Sequence, residues 1–248
     1  MRTIIGKSFG ILFAVLLIFI SFVTSFEYVC YHQPDLYRKE IEKYQVQAEL
    51  EYWRGETMEE DALENVFRQT MSYLRGNREN LIVETEISGH TEEFYNENEK
   101  SHMADVKVLF VGCLFFRALA NLAVLAIAGY LIISVGARKA GLFLSEGFIY
   151  TSLAMIVAVV GISLLAASNF TKYFTIFHEI FFSQGNWMFD PRQSRMIDIM
   201  PEGLFSDFAL WISETFLGVM AALLAGASFF RRKFKNPSQE NVIIGAEL

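Results

Sequence analysis

The sequence predicts an all-α integral membrane protein with four transmembrane helices, both termini cytoplasmic, and a mostly helical extracytoplasmic domain between helices one and two. Two observations carry this. Four stretches reach the roughly 20 consecutive apolar residues needed to cross the hydrocarbon core of a bilayer, and the Lys and Arg residues alternate between the segments that join them. The inner segments hold Arg2 and Lys7, then Arg138 and Lys139, then Arg231, Arg232, Lys233 and Lys235, as the positive-inside rule requires of an N-terminus in the cytoplasm.

The first apolar stretch, Phe9 to Val29, follows Arg2 and Lys7 and invites comparison with a cleaved signal peptide. It is longer than a secretory apolar core and ends in Glu-Tyr-Val-Cys rather than small residues, so it is expected to stay as a helix. Residues 1–30 are accordingly assigned to helix one and 31–105 to the extracytoplasmic domain. Residues 106–135 form helix two, 136–141 a cytoplasmic loop, and 142–167 helix three. An extracytoplasmic aromatic segment covers 168–204, helix four 205–230 and a cytoplasmic tail 231–248.

Between Glu27 and Asp105 there are 19 acidic and 8 basic residues, so the net charge of -7 belongs to the external domain. This balance argues against nucleic acid as a partner, because phosphate binding needs clustered cations. The two cysteines, Cys30 and Cys113, fall at different depths and are read as packing residues.

Within residues 31–105, Thr57 to Arg75 carries a helical stripe of Leu63, Val66, Phe67, Thr70 and Leu74. Thr57 with Glu60 reads as a capping box, and Gly76 as the stop. Pro34 to Glu51 reads as one more helix, and Leu81 to Ile87 as a short strand. The second external segment is unusually aromatic, with Tyr173, Phe174, Phe177, Phe181, Phe182, Trp187 and Phe189. Rings of this density suit the headgroup boundary, and Thr171 to Phe182 is expected to be an interfacial or re-entrant helix.

All four histidines, at 32, 90, 102 and 178, fall on the external side. His102 and His178 lie at the membrane boundary, where imidazole is either a tolerated interfacial residue or a general base titrating near neutral pH. His32 and His90 are read as structural. A zinc site built from His102, His178, Asp105 and Asp190 competes, but the position four after His178 is Phe182, so the zincin motif is absent. No metal or cofactor is expected. There is no G-x-S-x-G elbow and no P-loop, which leaves acid/base transfer between groups that the substrates themselves supply.

Charges within the apolar stretches cost a few kcal/mol each unless paired. Arg117 in helix two and Glu214 in helix four fall at similar depth and are expected to pair, directly or through Asn121 and Ser213. Such a pair either fixes helix packing or floors a polar pocket.

Two blocks, Glu99-Lys-Ser-His-Met-Ala-Asp-Val-Lys-Val-Leu-Phe110 and Phe177-His-Glu-Ile-Phe-Phe-Ser-Gln-Gly-Asn-Trp-Met-Phe-Asp-Pro191 with Pro201-Glu202 after it, resemble the bacterial lipoprotein intramolecular transacylase family. The resemblance spans the chain from the first helix to the fourth. It implies transfer of the sn-2 acyl chain of a diacylglyceryl-modified lipoprotein to the α-amino group of the same molecule's N-terminal cysteine, at the outer face of the cytoplasmic membrane. The product is a lyso-form lipoprotein, and membrane lipid is the medium from which the substrate arrives. The resemblance further implies that His102 and His178 are the essential histidines; His178 is assigned as base and His102 as oxyanion stabiliser or proton shuttle, with the exchange of these roles left open. Asp105 and Glu179 are the candidates to orient an imidazole, and Arg192 and Lys172 are candidate oxyanion donors. The chain departs from the expected pattern at Ser194 and Arg195, where an acidic residue is looked for; Asp190 or Asp198 is its candidate replacement. The rival reading is a non-enzymatic membrane protein whose acidic external domain binds a partner.

Overall fold

The structure, a computed structural model, describes residues 2–33 and 35–235; the rest of the expected cytoplasmic tail lies outside the described residues. In chain order the elements are α1 (Arg2–His32), α2 (Leu36–Lys43), α3 (Val46–Arg54), α4 (Glu60–Leu74), β1 (Glu84–Ile87), β2 (His90–Glu93), α5 (Glu97–Val135), α6 (Ala137–Ser168), α7 (Phe170–Phe181), α8 (Met196–Ile199) and α9 (Glu202–Lys235). Helices α1, α5, α6 and α9 are each long and apolar enough to cross a membrane. The chain divides into two compact units, one comprising Met1–Phe26, Phe115–Ser163 and Ser213–Leu248, the other Glu27–Leu114 and Leu164–Ile212.

In the first unit α1 is the common neighbour. Ala14 and Ile18 pack with Phe148 of α6 and with Phe216 and Met220 of α9, while Phe9 and Phe13 lie against Ile127, Leu131 and Ala140 of α5 and α6. Gly6, Gly10 and Ala14 recur every four residues along α1, the small-residue spacing that lets two helix backbones meet. A Cβ at Gly10 would fall on the backbone carbonyl of Phe143, and one at Gly147 on the backbone of Gly10. Gly10→Leu is therefore expected to cost about 1–3 kcal/mol by overpacking, read as a lower midpoint of thermal unfolding in detergent. A variant as stable as the parent would show that α1 and α6 do not depend on this approach. Large apolar side chains such as Leu125, Ile133 and Val157 remain exposed on the helices, as expected of surfaces solvated by lipid.

The expected Arg117–Glu214 ion pair is not formed. An Arg117 guanidinium N–H instead donates to Thr24 Oγ1 on α1 at 3.5 Å, and Asn121 Nδ2 turns back to the Arg117 carbonyl at 2.9 Å. The reason is helical phase: Ile212, Phe216 and Met220 form the buried stripe of α9, and Glu214 lies about 200° around the helix from Ile212, on the exposed side. Depth alone brought the two charges together in the sequence; azimuth separates them.

The second unit is built on α4, whose Leu63, Val66, Phe67, Thr70 and Leu74 are all buried. The expected capping box is not formed, because the Thr57 N–H is taken by Ser88 Oγ at 3.0 Å and its carbonyl by Ser88 N at 2.8 Å; the helix starts at Glu60 instead. Ser88 and Gly89 both have positive φ, 50° and 81°, and form the two-residue turn of a β1–β2 hairpin with Ile87 opposite His90. The single helix expected over Pro34 to Glu51 is broken at Gln45, whose φ of 50° is left-handed, giving α2 and α3. The Tyr37 ring of α2 stacks on Phe67 at 3.9 Å, and its hydroxyl donates to the Ile199 carbonyl at 2.7 Å.

A histidine pair walled by aromatic rings

α5 begins with a capping box that the sequence analysis missed. Asn96 Oδ1 accepts the Glu99 N–H at 3.0 Å, and Glu99 Oε2 accepts the Asn96 N–H at 2.8 Å. The pattern Asn-x-x-Glu ahead of an apolar run was the signal for it. Glu99 is fully buried, and its second oxygen accepts Ser194 Oγ at 2.6 Å and Met196 N at 2.9 Å. One carboxylate thus fixes both the start of α5 and the 190–196 loop.

Less than a turn beyond Glu99, His102 is buried. α7 is capped by Asn169, whose Oδ1 accepts the Lys172 N–H at 3.1 Å, and carries His178 toward the same place. The two imidazoles face each other with centroids 5.8 Å apart and planes 29° from parallel. Phe182 and Phe189 meet the His102 ring edge-on at 4.8 and 5.6 Å. Phe174 and Trp187 flank His178 at 4.3 and 5.1 Å. The aromatic segment is therefore a wall around both histidines as well as an apolar surface.

Tautomers follow from partners. His178 Nδ1 lies 2.8 Å from the Phe174 carbonyl, and a carbonyl can only accept, so Nδ1 carries the proton and Nε2 keeps its lone pair. Burial among the rings pushes the His178 pKa below its ordinary value, and the bond to the Phe174 carbonyl offsets part of this. His102 Nδ1 is buried with no hydrogen-bond partner among the described residues, and Asn186 lies within hydrogen-bonding reach of the ring.

Asp105 lies near His102, but its visible partner is Asn186, whose Nδ2 donates to Asp105 Oδ2 at 2.7 Å and is 3.4 Å from Ser101 Oγ. Glu179 does not orient His178: it is exposed, one residue and about 100° further around α7, and the backbone does the work assigned to it. Asp190 accepts both the backbone and guanidinium N–H groups of Arg192 at 3.0 and 3.2 Å, which holds its carboxyl below the ordinary range. Arg192 is otherwise exposed and committed to that pair. Asp198 is bonded to Arg54 of α3, whose guanidinium also donates to the Pro191 and Ser194 carbonyls at 2.8 and 2.5 Å. Neither aspartate touches a histidine. Arg195 at the departing position pairs with Glu56 through two 2.8 Å bonds. Of the other histidines, His32 stacks on Tyr28 and His90 closes the hairpin.

Four helices long and apolar enough to span a membrane and a histidine pair flanked by aromatic rings define a membrane-integral protein with two neighbouring imidazoles in its second unit. The family model described as lipoprotein intramolecular transacylase Lit matches residues 11–205, and the chain belongs to that acyltransferase family. A solved structure of the membrane integral lipoprotein intramolecular transacylase Lit from Bacillus cereus superposes with a TM-score of 0.70 at 20% identity, covering 93% of this chain and 98% of that one. Two structures of variants of the same protein, with a histidine changed to arginine or to alanine, superpose with TM-scores of 0.69 at 20% identity, each covering 94% of this chain and 95% and 97% of theirs. At this identity the likeness concerns the fold. No curated protein matches the chain.

Proposed function

We propose that this chain transfers the sn-2 acyl group of a diacylglyceryl lipoprotein to the α-amino group of that lipoprotein's N-terminal cysteine, using His178 and His102. The observation that carries the proposal is the pair of facing imidazoles, one with its Nε2 lone pair fixed by a backbone bond and the other buried beside it with Nδ1 unpartnered among the described residues. Membership of the transacylase family supplies the reaction class.

His178 Nε2 takes one proton from the α-ammonium and passes it to solvent, which returns the imidazole to its neutral form. The amine nitrogen attacks the sn-2 ester carbonyl, forming a C–N bond; the carbonyl oxygen becomes an oxyanion to which a His102 N–H donates. His178 Nε2 takes a second proton from the attacking nitrogen, the ester C–O bond breaks, and the sn-2 oxygen of glycerol takes that proton from the imidazolium. One ester becomes one amide and one hydroxyl, with no water, metal or enzyme nucleophile. Because nucleophile and ester share a molecule, holding them together lowers the barrier by several kcal/mol. The aromatic wall limits the access of water that would otherwise hydrolyse the ester.

The distribution of Lys and Arg supports both termini in the cytoplasm and the polar unit at the outer face of the cytoplasmic membrane. The exposed apolar face of α7, with Phe177, Ile180 and Phe181, is where a lipidated substrate leaves the outer leaflet. Arg117, bonded to Thr24 of α1, serves helix packing in this reading, and Glu214 has no part in the site. Intramolecular transfer leaves the intact mass of the lipopeptide unchanged. The experiment is therefore to incubate purified protein with a diacylglyceryl lipopeptide and follow loss of the free amine together with fragment ions bearing an acyl group on cysteine nitrogen. A persistent free amine would overturn the reading.

A pH profile follows from the environment of His178. A lowered pKa keeps the imidazole neutral to lower pH, so the acid limb of kcat/KM set by the enzyme is expected below the ordinary histidine value of about 6.5, with activity lost as pH falls through it. The substrate amine contributes a separate limb near its own pKa of about 8, which moves when the substrate is changed. Opening the wall with Trp187→Ala is expected to move the enzyme's limb upward toward 6.5, and an unmoved limb would show that burial by this ring does not set it.

A further inference from the structure

We propose that the cavity beside His102 binds the polypeptide backbone of the lipoprotein, the first residues after the acylated cysteine; this rests on the transacylase reading above. The cavity is about 310 Å³ and is lined by Asn98, Asn186, Phe189, Asp190, Gln193 and Ser194 among others. Two of these residues belong also to the reactive site. The Phe189 ring contacts His102 at 5.6 Å, and Asn186 is held by Asp105. The cavity and the histidine pair therefore share a wall.

Its chemistry selects the ligand. Asn98 and Gln193 are exposed, and neither side-chain carboxamide is bonded to another described residue. Each offers a donor and an acceptor, the complement of a peptide N–H and C=O. The lining is wrong for a phosphate, since Asp190 repels anions and the adjacent cation, Arg192, is neutralised by Asp190. It is also too polar for an acyl chain. Position agrees with composition. The reacting amine belongs to the cysteine whose carbonyl starts the rest of the chain, and successive Cα atoms are only about 3.8 Å apart. An amine at the histidines thus puts the second and third residues within reach of a cavity one ring away.

The test compares two substrates with the full-length protein in detergent: a diacylglyceryl-cysteine methylamide, and the same headgroup followed by four uncharged residues. The parent protein is expected to favour the tailed substrate about tenfold in kcat/KM, the equivalent of two modest hydrogen bonds. In Asn98→Leu and Gln193→Leu that ratio is expected to fall toward one. Equal use of both substrates by the parent, or a ratio that survives both substitutions, would overturn the assignment while leaving the transacylase reading intact. Turnover of neither substrate by the parent would instead overturn the transacylase reading itself.

Discussion

His178→Ala is expected to slow acyl transfer by roughly 10²–10⁴-fold, the usual range for removal of a positioned general base. The amine then has to lose its proton to bulk solvent, in a site whose rings restrict that solvent. His102→Ala is expected to give a loss of the same order if it removes the donor to the oxyanion. The two differ in rescue. Added imidazole in the space left by His178→Ala supplies a base of the same chemical kind and is expected to restore part of the rate. His102→Gln retains an N–H donor that cannot titrate, and is expected to keep more activity than His102→Ala. Rates are read from acylation of the cysteine nitrogen, with the unfolding midpoint of each variant as the check on folding. A His178→Ala protein that folds and turns over at the parent rate would remove the imidazole from the mechanism.

The four long helices were legible because bilayer thickness leaves a direct mark on a sequence, and His102 and His178 stood out by their place at the membrane boundary. α7 was legible for the same kind of reason, since no loop in water carries so many phenylalanines. What stayed hidden depends on rotation and on backbone. The Arg117–Glu214 pairing followed from equal depth, yet Glu214 faces away from the stripe of Ile212, Phe216 and Met220. Glu179 stands beside His178 in sequence, but the group on Nδ1 is the carbonyl of Phe174, and a main-chain acceptor has no residue-type signature. Asp105 was expected to orient an imidazole; its charge acts on His102, and its hydrogen bond comes from Asn186, 81 residues away, which the sequence did not mark. Asn96 and Glu99 were open to detection by spacing alone. The Thr57–Glu60 pattern took their place in the reading, although in the fold Ser88 claims Thr57.

Glu99 gives the largest expected effect on stability. Its carboxylate is buried and accepts three bonds, from the Asn96 N–H on one oxygen and from Ser194 Oγ and the Met196 N–H on the other. Hydrogen bonds to a charged group contribute about 1.5–3 kcal/mol each, and donors left buried without partners add their own cost. Glu99→Ala is therefore expected to lose roughly 3–5 kcal/mol, comparable to breaking a buried charged network. Glu99→Gln, though nearly isosteric, is not expected to rescue. Its NH₂ group has to replace one of the two accepting oxygens, and so would face either the Asn96 N–H or the Met196 N–H, donor against donor. Because Phe189, which packs on His102, immediately precedes the bonded loop, both variants are expected to lose transfer activity along with stability. Thermal unfolding in detergent separates this account from a simple packing role: a filler of space would be restored by glutamine, and a Glu99→Gln protein as stable as the parent would mean that shape, rather than the two accepting oxygens, holds α5 to the loop.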